Sequence, residues 1–177
     1  MSQDKPELHR GLRDVYMDRS KSSFIDGQAG KLLYRGYNIH DLAEYSTFEE
    51  IVYLLLYEKL PNAKELEDFD SCLRMNRELP EEILEIIKLI SNAHPMDVLR
   101  TTVSALAAFD PDVSDNSPEA TLRKGVRLTA KAPTIVAAHS RIRNGKDPVS
   151  PDPRLNHAGN FLKMLFDKEP DPDDRSE

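Results

Sequence analysis

The stretch Ser46-Thr47-Phe48-Glu49-Glu50-Ile51-Val52-Tyr53-Leu54-Leu55-Leu56-Tyr57 decides between a helical and a sheet protein. Its seven consecutive apolar residues, Ile51 to Tyr57, suit a buried strand or a buried helix equally well. The residues in front of them break the tie. Ser46 and Thr47 each stand three positions before a glutamate, Glu49 and Glu50. These are two overlapping capping-box patterns, in which a hydroxyl and a carboxylate satisfy the first free amides of a helix. The reading is a helix over Phe48 to Tyr57, apolar almost all round and therefore buried. Leu60-Pro61 ends it, because the residue before a proline avoids the α region.

Toward the C terminus every further signal is helical. Ala63 to Glu78 carries Leu66, Phe69 and Leu73 at helical spacing with charges between them. Pro80 suits a first helical position, and Ile83, Ile86, Ile87 and Ile90 then make one stripe. Pro95 opens a helix with Met96, Leu99, Val103 and Leu106 on one face, closed by Phe109-Asp110-Pro111. Ser117-Pro118-Glu119 supplies a cap, a first-position proline and a first-turn acid for a helix running to Arg143. Asn144-Gly145 closes that helix, and Pro133 inside it removes the donor for the Thr129 carbonyl and implies a kink. Asp152-Pro153 reads as the start of a last helix with the stripe Leu155, Ala158, Phe161, Leu162 and Leu165.

Toward the N terminus, Asn38 suits the cap of a short helix through Glu44. Before it lies the strand-like part of the chain. Ser22-Ser23-Phe24-Ile25 and Lys31-Leu32-Leu33-Tyr34 flank a five-residue loop, Asp26 to Gly30, and read as a hairpin. A lone hairpin is marginal in water, so it has to lie against something else. The organisation expected is an N-terminal segment over 1–20, a β-hairpin over 21–37, helices over 38–166, and an acidic linker or truncated end over 167–177. That last segment holds six acids and two bases.

The chain has 177 residues, which suits one domain or one and part of another. Thirty-one acids against 24 bases give a net charge of −7, which argues against a nucleic-acid partner. Seven apolar residues do not span a bilayer, so no membrane partner is expected, and residues 1–10 lack the apolar core of a secretory signal. One cysteine, Cys72, excludes an internal disulfide and a cysteine-based zinc site. A cytoplasmic protein is the default.

No constellation of side chains announces chemistry. His9, His40, His94, His139 and His157 lack the spacing of metal ligands, and no metal is expected. Cys72 has no histidine near it in sequence and reads as an inert thiol. Gly27 and Gly30 belong to no phosphate-binding pattern and read as turn glycines. Arg13, Arg19 and Arg35 cluster near the hairpin, where solvated surface arginines are commoner than anion ligands.

Ser23-Phe24-Ile25-Asp26-Gly27, followed by Gly30-Lys31-Leu32-Leu33-Tyr34-Arg35-Gly36-Tyr37, resembles the opening of a citrate synthase. The resemblance continues through Asp41-Leu42-Ala43-Glu44 and Ser46-Thr47-Phe48-Glu49-Glu50. It returns at His94-Pro95-Met96-Asp97-Val98-Leu99-Arg100, at Pro133-Thr134-Ile135-Val136-Ala137-Ala138 and at Phe161-Leu162-Lys163-Met164-Leu165-Phe166. These blocks are colinear and cover nearly the whole chain, as an N-terminal portion of that family.

The resemblance implies a mainly α fold: part of a large helical domain with a small N-terminal β-hairpin, in an enzyme that is an obligate dimer. It implies an acyltransferase of the tricarboxylic acid cycle or its 2-methylcitrate relative. Such an enzyme condenses acetyl-CoA or propionyl-CoA with oxaloacetate, without any cofactor beyond the acyl-CoA substrate. The family's catalytic histidines and aspartate, and the arginines that clamp oxaloacetate, belong to its second half. No catalytic residue is therefore assigned here. Asp152-Pro153-Arg154 and Asn156-His157-Ala158 look like family segments out of place, and neither is carried over.

By the same resemblance, the Pro95–Phe109 and Pro118–Arg143 helices align with helices that cross a dimer axis. Leu99, Val103, Leu106, Val126 and Ile135 are then the subunit-interface candidates, with an intrachain core as the alternative. Three accounts of the length remain: a truncated synthase, the scaffold subunit of a split synthase whose partner chain carries the catalytic half, and a non-catalytic dimerisation or regulatory module. In each the chain alone is expected to be inactive. The final helix and the Ile83–Ile90 stripe are expected to lose partners, favouring association.

Overall fold

A computed structural model of the chain describes residues 11, 18 and 20–169. Most of the expected N-terminal segment and of the acidic end lies outside the described residues.

Three short antiparallel strands open the fold: β1 (Ser23–Asp26), β2 (Lys31–Tyr34) and β3 (Tyr37–Asn38), in the order β1-β2-β3. Phe24 faces Leu33 and Asp26 faces Lys31, so the first loop has four residues, one fewer than expected. Asp26 shapes that loop, its Oδ1 accepting from the amides of Gln28 and Ala29 at 3.0 Å each. The third strand was not expected. It pairs with β2 across Arg35-Gly36, and both turn residues have positive φ, 48° and 91°. Two such residues make the mirror-image turn whose twist matches a hairpin. Arginine at its first position carries none of the Asn-Gly or Asp-Gly signal.

Seven α-helices follow among the described residues: α1 (Ile39–Tyr45), α2 (Phe48–Tyr57), α3 (Ala63–Met75), α4 (Glu81–Leu89), α5 (Pro95–Ala105), α6 (Pro118–Arg143) and α7 (His157–Phe166). A 3-10 turn over Leu106–Phe109 extends α5. Of the two overlapping capping boxes the fold uses Thr47 with Glu50: Thr47 N–H donates to Glu50 Oε2 at 2.6 Å, and Glu50 N–H to Thr47 Oγ1 at 3.3 Å. Ser46 instead closes α1 through its amide on Leu42 O, 3.1 Å. Glu49 is thereby free for another partner.

A second capping box, Asn62 with Glu65, starts α3. Pro80 occupies the cap of α4, one position earlier than expected, and makes no side-chain bond there. The cap of α6 is Ser117, whose Oγ accepts from Ala120 N at 3.2 Å. Pro133 lies inside α6. The end of α6 has the paired bonds of a Schellman motif: Lys146 N–H to Arg141 O and Gly145 N–H to Ile142 O, both 3.0 Å, with Gly145 at φ 69°.

The last helix differs most from expectation. Asn156, not Asp152, caps it, accepting from Gly159 N at 2.8 Å. Its buried positions are His157, Asn160 and Met164, while Ala158 is exposed. The apolar stripe read from the sequence is only part-buried at Phe161, Leu162 and Leu165, and the innermost face carries the His157 ring and the Asn160 amide beside Met164.

Two apolar clusters are organised around α6, which packs against α3, α4, α5 and α7. One joins Leu79, Ile83 and Ile87 to Val98, Leu106, Ile135 and Ala138. The other joins Tyr53, Phe69 and Leu73 to Val126 and Ala130. Tyr53 stacks on Tyr57 at 4.3 Å between centroids, and both meet Phe69 edge-on. Ile83 and Ile87 are fully buried and Ile86 and Ile90 pack beside them, which corrects the expectation that this stripe lacks partners. Exposed apolar side chains include Leu89 at 84 %, Met75 at 75 % and Met96 at 62 %, with Phe166 at 61 % on the last helix.

Candidate functional site

The five interface candidates fall into two groups. Leu106, Val126 and Ile135 are 6, 4 and 1 % exposed and lie inside the chain's own core. Such burial leaves almost none of these side chains for a partner to touch. Leu99 and Val103 are part-buried, packed beside the first cluster. Next to them on α5 and α6, Met96, Leu128 and Val136 are exposed.

The histidines stay apart. His94 caps α5, its Nδ1 accepting from Met96 N at 3.2 Å, and His139 Nε2 lies 3.0 Å from Ser91 O. Among the described residues no three His, Cys, Asp or Glu side chains gather as a metal requires. Arg13, Arg19 and His9 lie outside the described residues. Arg35 is drawn inward rather than solvated. Its side chain is 13 % exposed and pairs with Glu58 at 3.0 Å, with a long 3.4 Å contact to Leu55 O.

Two polar clusters stand out. In the first, Asp110 and Asp112, just beyond the 3-10 turn, are gripped by arginines of α6. Arg127 binds Asp110 through two bonds of 2.7 and 2.9 Å and reaches Asp112 at 2.7 Å. Arg123 binds Asp112 through two bonds of 2.7 and 3.0 Å. Such paired guanidinium–carboxylate bonds fix orientation as well as charge. The Arg127 guanidinium holds the Asp110 carboxyl below the usual carboxylate range, and Arg123 with Arg127 does the same to Asp112. Every acceptor there is taken up by the chain itself, so the cluster is a clasp rather than an open site.

The second cluster is buried. Arg77, in the connection between α3 and α4, is 1 % exposed. Its Nη1 donates to Leu155 O at 2.8 Å and Asp152 O at 3.2 Å, and its own carbonyl accepts from Thr134 Oγ1 at 2.8 Å. Arg74 on α3 binds Asp70 and donates to Pro153 O, 2.8 Å. Three carbonyls of the segment before α7 are thus held by two arginines some eighty positions earlier.

Asp152 anchors the same segment from within. Its N–H donates to Asn160 Oδ1 at 2.7 Å, and its carboxylate binds Arg154 at 2.6 Å and Lys163 at 2.8 Å. Arg154 and Lys163 hold that carboxyl far below its ordinary range.

Glu49 on α2, 7 % exposed, completes the node by accepting the His157 N–H at 2.8 Å. It satisfies one of the free amides at the start of α7, a capping role supplied from a distant helix. The His157 ring stacks on Phe48, 4.9 Å between centroids and 6° between planes. Both its ring nitrogens, with Asp70 Oδ1 and Arg77 Nε and Nη2, find no hydrogen-bond partner among the described residues. Burial, with Arg77 next, pushes the His157 imidazole below its usual value; burial does the same to Arg77.

Sequence reading missed Glu49, Arg77 and Asp152 as a group. Glu49 carried a signal as the acid left spare by two overlapping boxes. Arg77 carried none.

Fold and node together define a helical scaffold built around one long helix. The family model described as "Citrate synthase, C-terminal domain" matches residues 11–176. A citrate synthase of Haloferax volcanii is 46 % identical over 171 residues, covering 93 % of this chain and 45 % of the relative. A 2-methylcitrate synthase of Mycobacterium tuberculosis is 39 % identical over 169 residues, covering 95 % of this chain and 42 % of the relative. The crystal structure of citrate synthase from Pyrobaculum aerophilum superposes with a TM-score of 0.87 at 42 % identity, over 91 % of this chain and 42 % of that one. The chain belongs to the citrate synthase family. It spans less than half the length of these relatives. Among the described residues no helix is long and apolar enough to cross a membrane.

Proposed function

We propose that this chain is the scaffold portion of a synthase condensing acetyl-CoA or propionyl-CoA with oxaloacetate, and that it has no synthase activity alone. The observation that carries the reading is the family match over residues 11–176, with citrate and 2-methylcitrate synthases both among the relatives. Its place as an opening portion rests on the order of the motifs from Ser23 to Phe166, not on the name of the family model. Inactivity follows from chemistry. Enolising a thioester needs a positioned base and an electrophile at the carbonyl oxygen. In the buried node Glu49 and Asp152 are spent on a backbone amide and on ion pairs, and His157 is 5 % exposed, its ring out of reach of a substrate. A partner chain carrying the catalytic half, or a longer form of the same chain, supplies the missing groups.

A homodimer through α5 and α6 goes with this reading. Leu99 and Val103 contribute at its margin beside Met96, Leu128 and Val136, while Leu106 and Ile135 hold the two helices from within and Val126 packs α6 on α2 and α3. The exposure of Leu128 and Val136, 40 and 42 %, on an otherwise well-packed helix also supports the second reading, a non-catalytic dimerisation or regulatory module. A cytoplasmic setting and, for the acetyl-CoA reaction, the tricarboxylic acid cycle follow from the family. Release of free CoA thiol in the presence of oxaloacetate tests activity. Binding to an intact synthase tests the second reading.

A further inference from the structure

We propose that His157 makes α7 an acid-released latch: its uncharged ring, buried between Phe48, Glu49, Asp70 and Arg77, lets α7 dock on α2 and α6, and acidification undocks it. His157 is 5 % exposed and neither ring nitrogen has a hydrogen-bond partner among the described residues; the node's unbonded carboxylate oxygen, Asp70 Oδ1, makes no bond to the ring, so an added proton has no acceptor at bonding distance in the docked state. A buried charge without a partner is costly.

Two fixed features oppose the cation. His157 is the first residue of α7, at the positive end of the helix dipole. Arg77 is buried beside it with Nε and Nη2 unpartnered.

The charges around the ring come from each element of the node. Glu49 on α2 is committed to the His157 amide. Asp70 on α3 binds Arg74 through Oδ2, and its Oδ1 makes no hydrogen bond among the described residues. Asp152 and Arg154 before α7, with Lys163 on it, form their own ion pairs. From α6, Arg141 pairs with Asp167 at the far end of α7. The two carboxylates favour an imidazolium and Arg77 disfavours it, while burial is the largest effect and favours the neutral ring.

The sign follows. A histidine whose folded value is lowered leaves the docked state unprotonated while the undocked state takes up a proton below about pH 6.5, so docking weakens as pH falls through that value. One proton changes the equilibrium by at most about tenfold per pH unit, which gives about tenfold between about pH 7.5 and about pH 5.5.

The test follows the His157 ring proton by NMR across this range, with hydrogen-exchange protection of residues 157–166, in the wild type and in His157→Phe. Phenylalanine keeps the stack on Phe48 and the Glu49 bond to the backbone but cannot titrate. The expected result is a ring titrating below about 6.5, protection in α7 falling about tenfold, and no such fall in His157→Phe. Titration at or above the ordinary value overturns the proposal, as does an unprotected α7 at neutral pH. An equal fall in a folded His157→Phe does the same; should that variant fail to fold, His157→Gln is read in its place.

Discussion

The carboxylate of Glu49 accepts the backbone N–H of His157 at 2.8 Å, joining α2 to α7 across 108 positions of chain. Glu49→Ala removes a buried acceptor and uncaps α7. A loss of about 1–3 kcal/mol in denaturant unfolding is expected, the range for a buried cap or charged hydrogen bond. Glu49→Gln, which keeps an acceptor oxygen, should lose less.

Arg77 is expected to be the costlier position. Arg77→Ala leaves the carbonyls of Leu155 and Asp152 without their donor and opens a cavity under the segment before α7. A loss of about 3 kcal/mol or more is expected, since a broken buried polar network compounds lost packing with unpaired groups. Thermal unfolding followed by circular dichroism measures it.

The clasp on Asp110 predicts an acid-sensitive limb. Its carboxyl is held low chiefly by Arg127, so the folded state stays ionised after the unfolded chain begins to protonate. The contribution is full above the ordinary aspartate value of about 3.9 and is lost as pH falls through the lower folded value. Arg127→Ala should flatten the stability profile below about pH 4, measured by urea titration at several pH values.

Core and surface substitutions on α6 should behave differently. Ile135→Ala, at 1 % exposure, is expected to cost about 2–5 kcal/mol. Val136→Asp, on the exposed side of the same helix, should change stability by less than about 0.5 kcal/mol but weaken self-association, read by analytical ultracentrifugation. A Val136→Asp variant associating like wild type would remove α6 from the dimer proposal.

Most of the fold was legible because its helices carry local stop and start signals. Thr47-Glu50, Ser117-Pro118 and Asn144-Gly145 each act within a few residues, and the structure uses all three. The polar node was not legible, because the bonds that Arg77 and Glu49 make to the segment before α7 and to its first residue join residues 75 to 108 positions apart. Asp152 mimicked a cap in sequence, yet its carboxylate is taken by Arg154 and Lys163, leaving Asn156 to start α7. Periodicity likewise does not separate a subunit interface from an intrachain core for Leu106, Val126 and Ile135. The structure gives the answer, the chain's own α6-centred core.

The central claim is that this chain is a scaffold without synthase chemistry of its own. Its most direct test is the rate of CoA thiol release from acetyl-CoA and from propionyl-CoA with oxaloacetate, on the purified folded chain and again with a polypeptide carrying the remaining half of a synthase. The expected result is no turnover by the chain alone and turnover with one of the two thioesters after the second polypeptide is added. Oxaloacetate-dependent turnover by the chain alone would contradict the account.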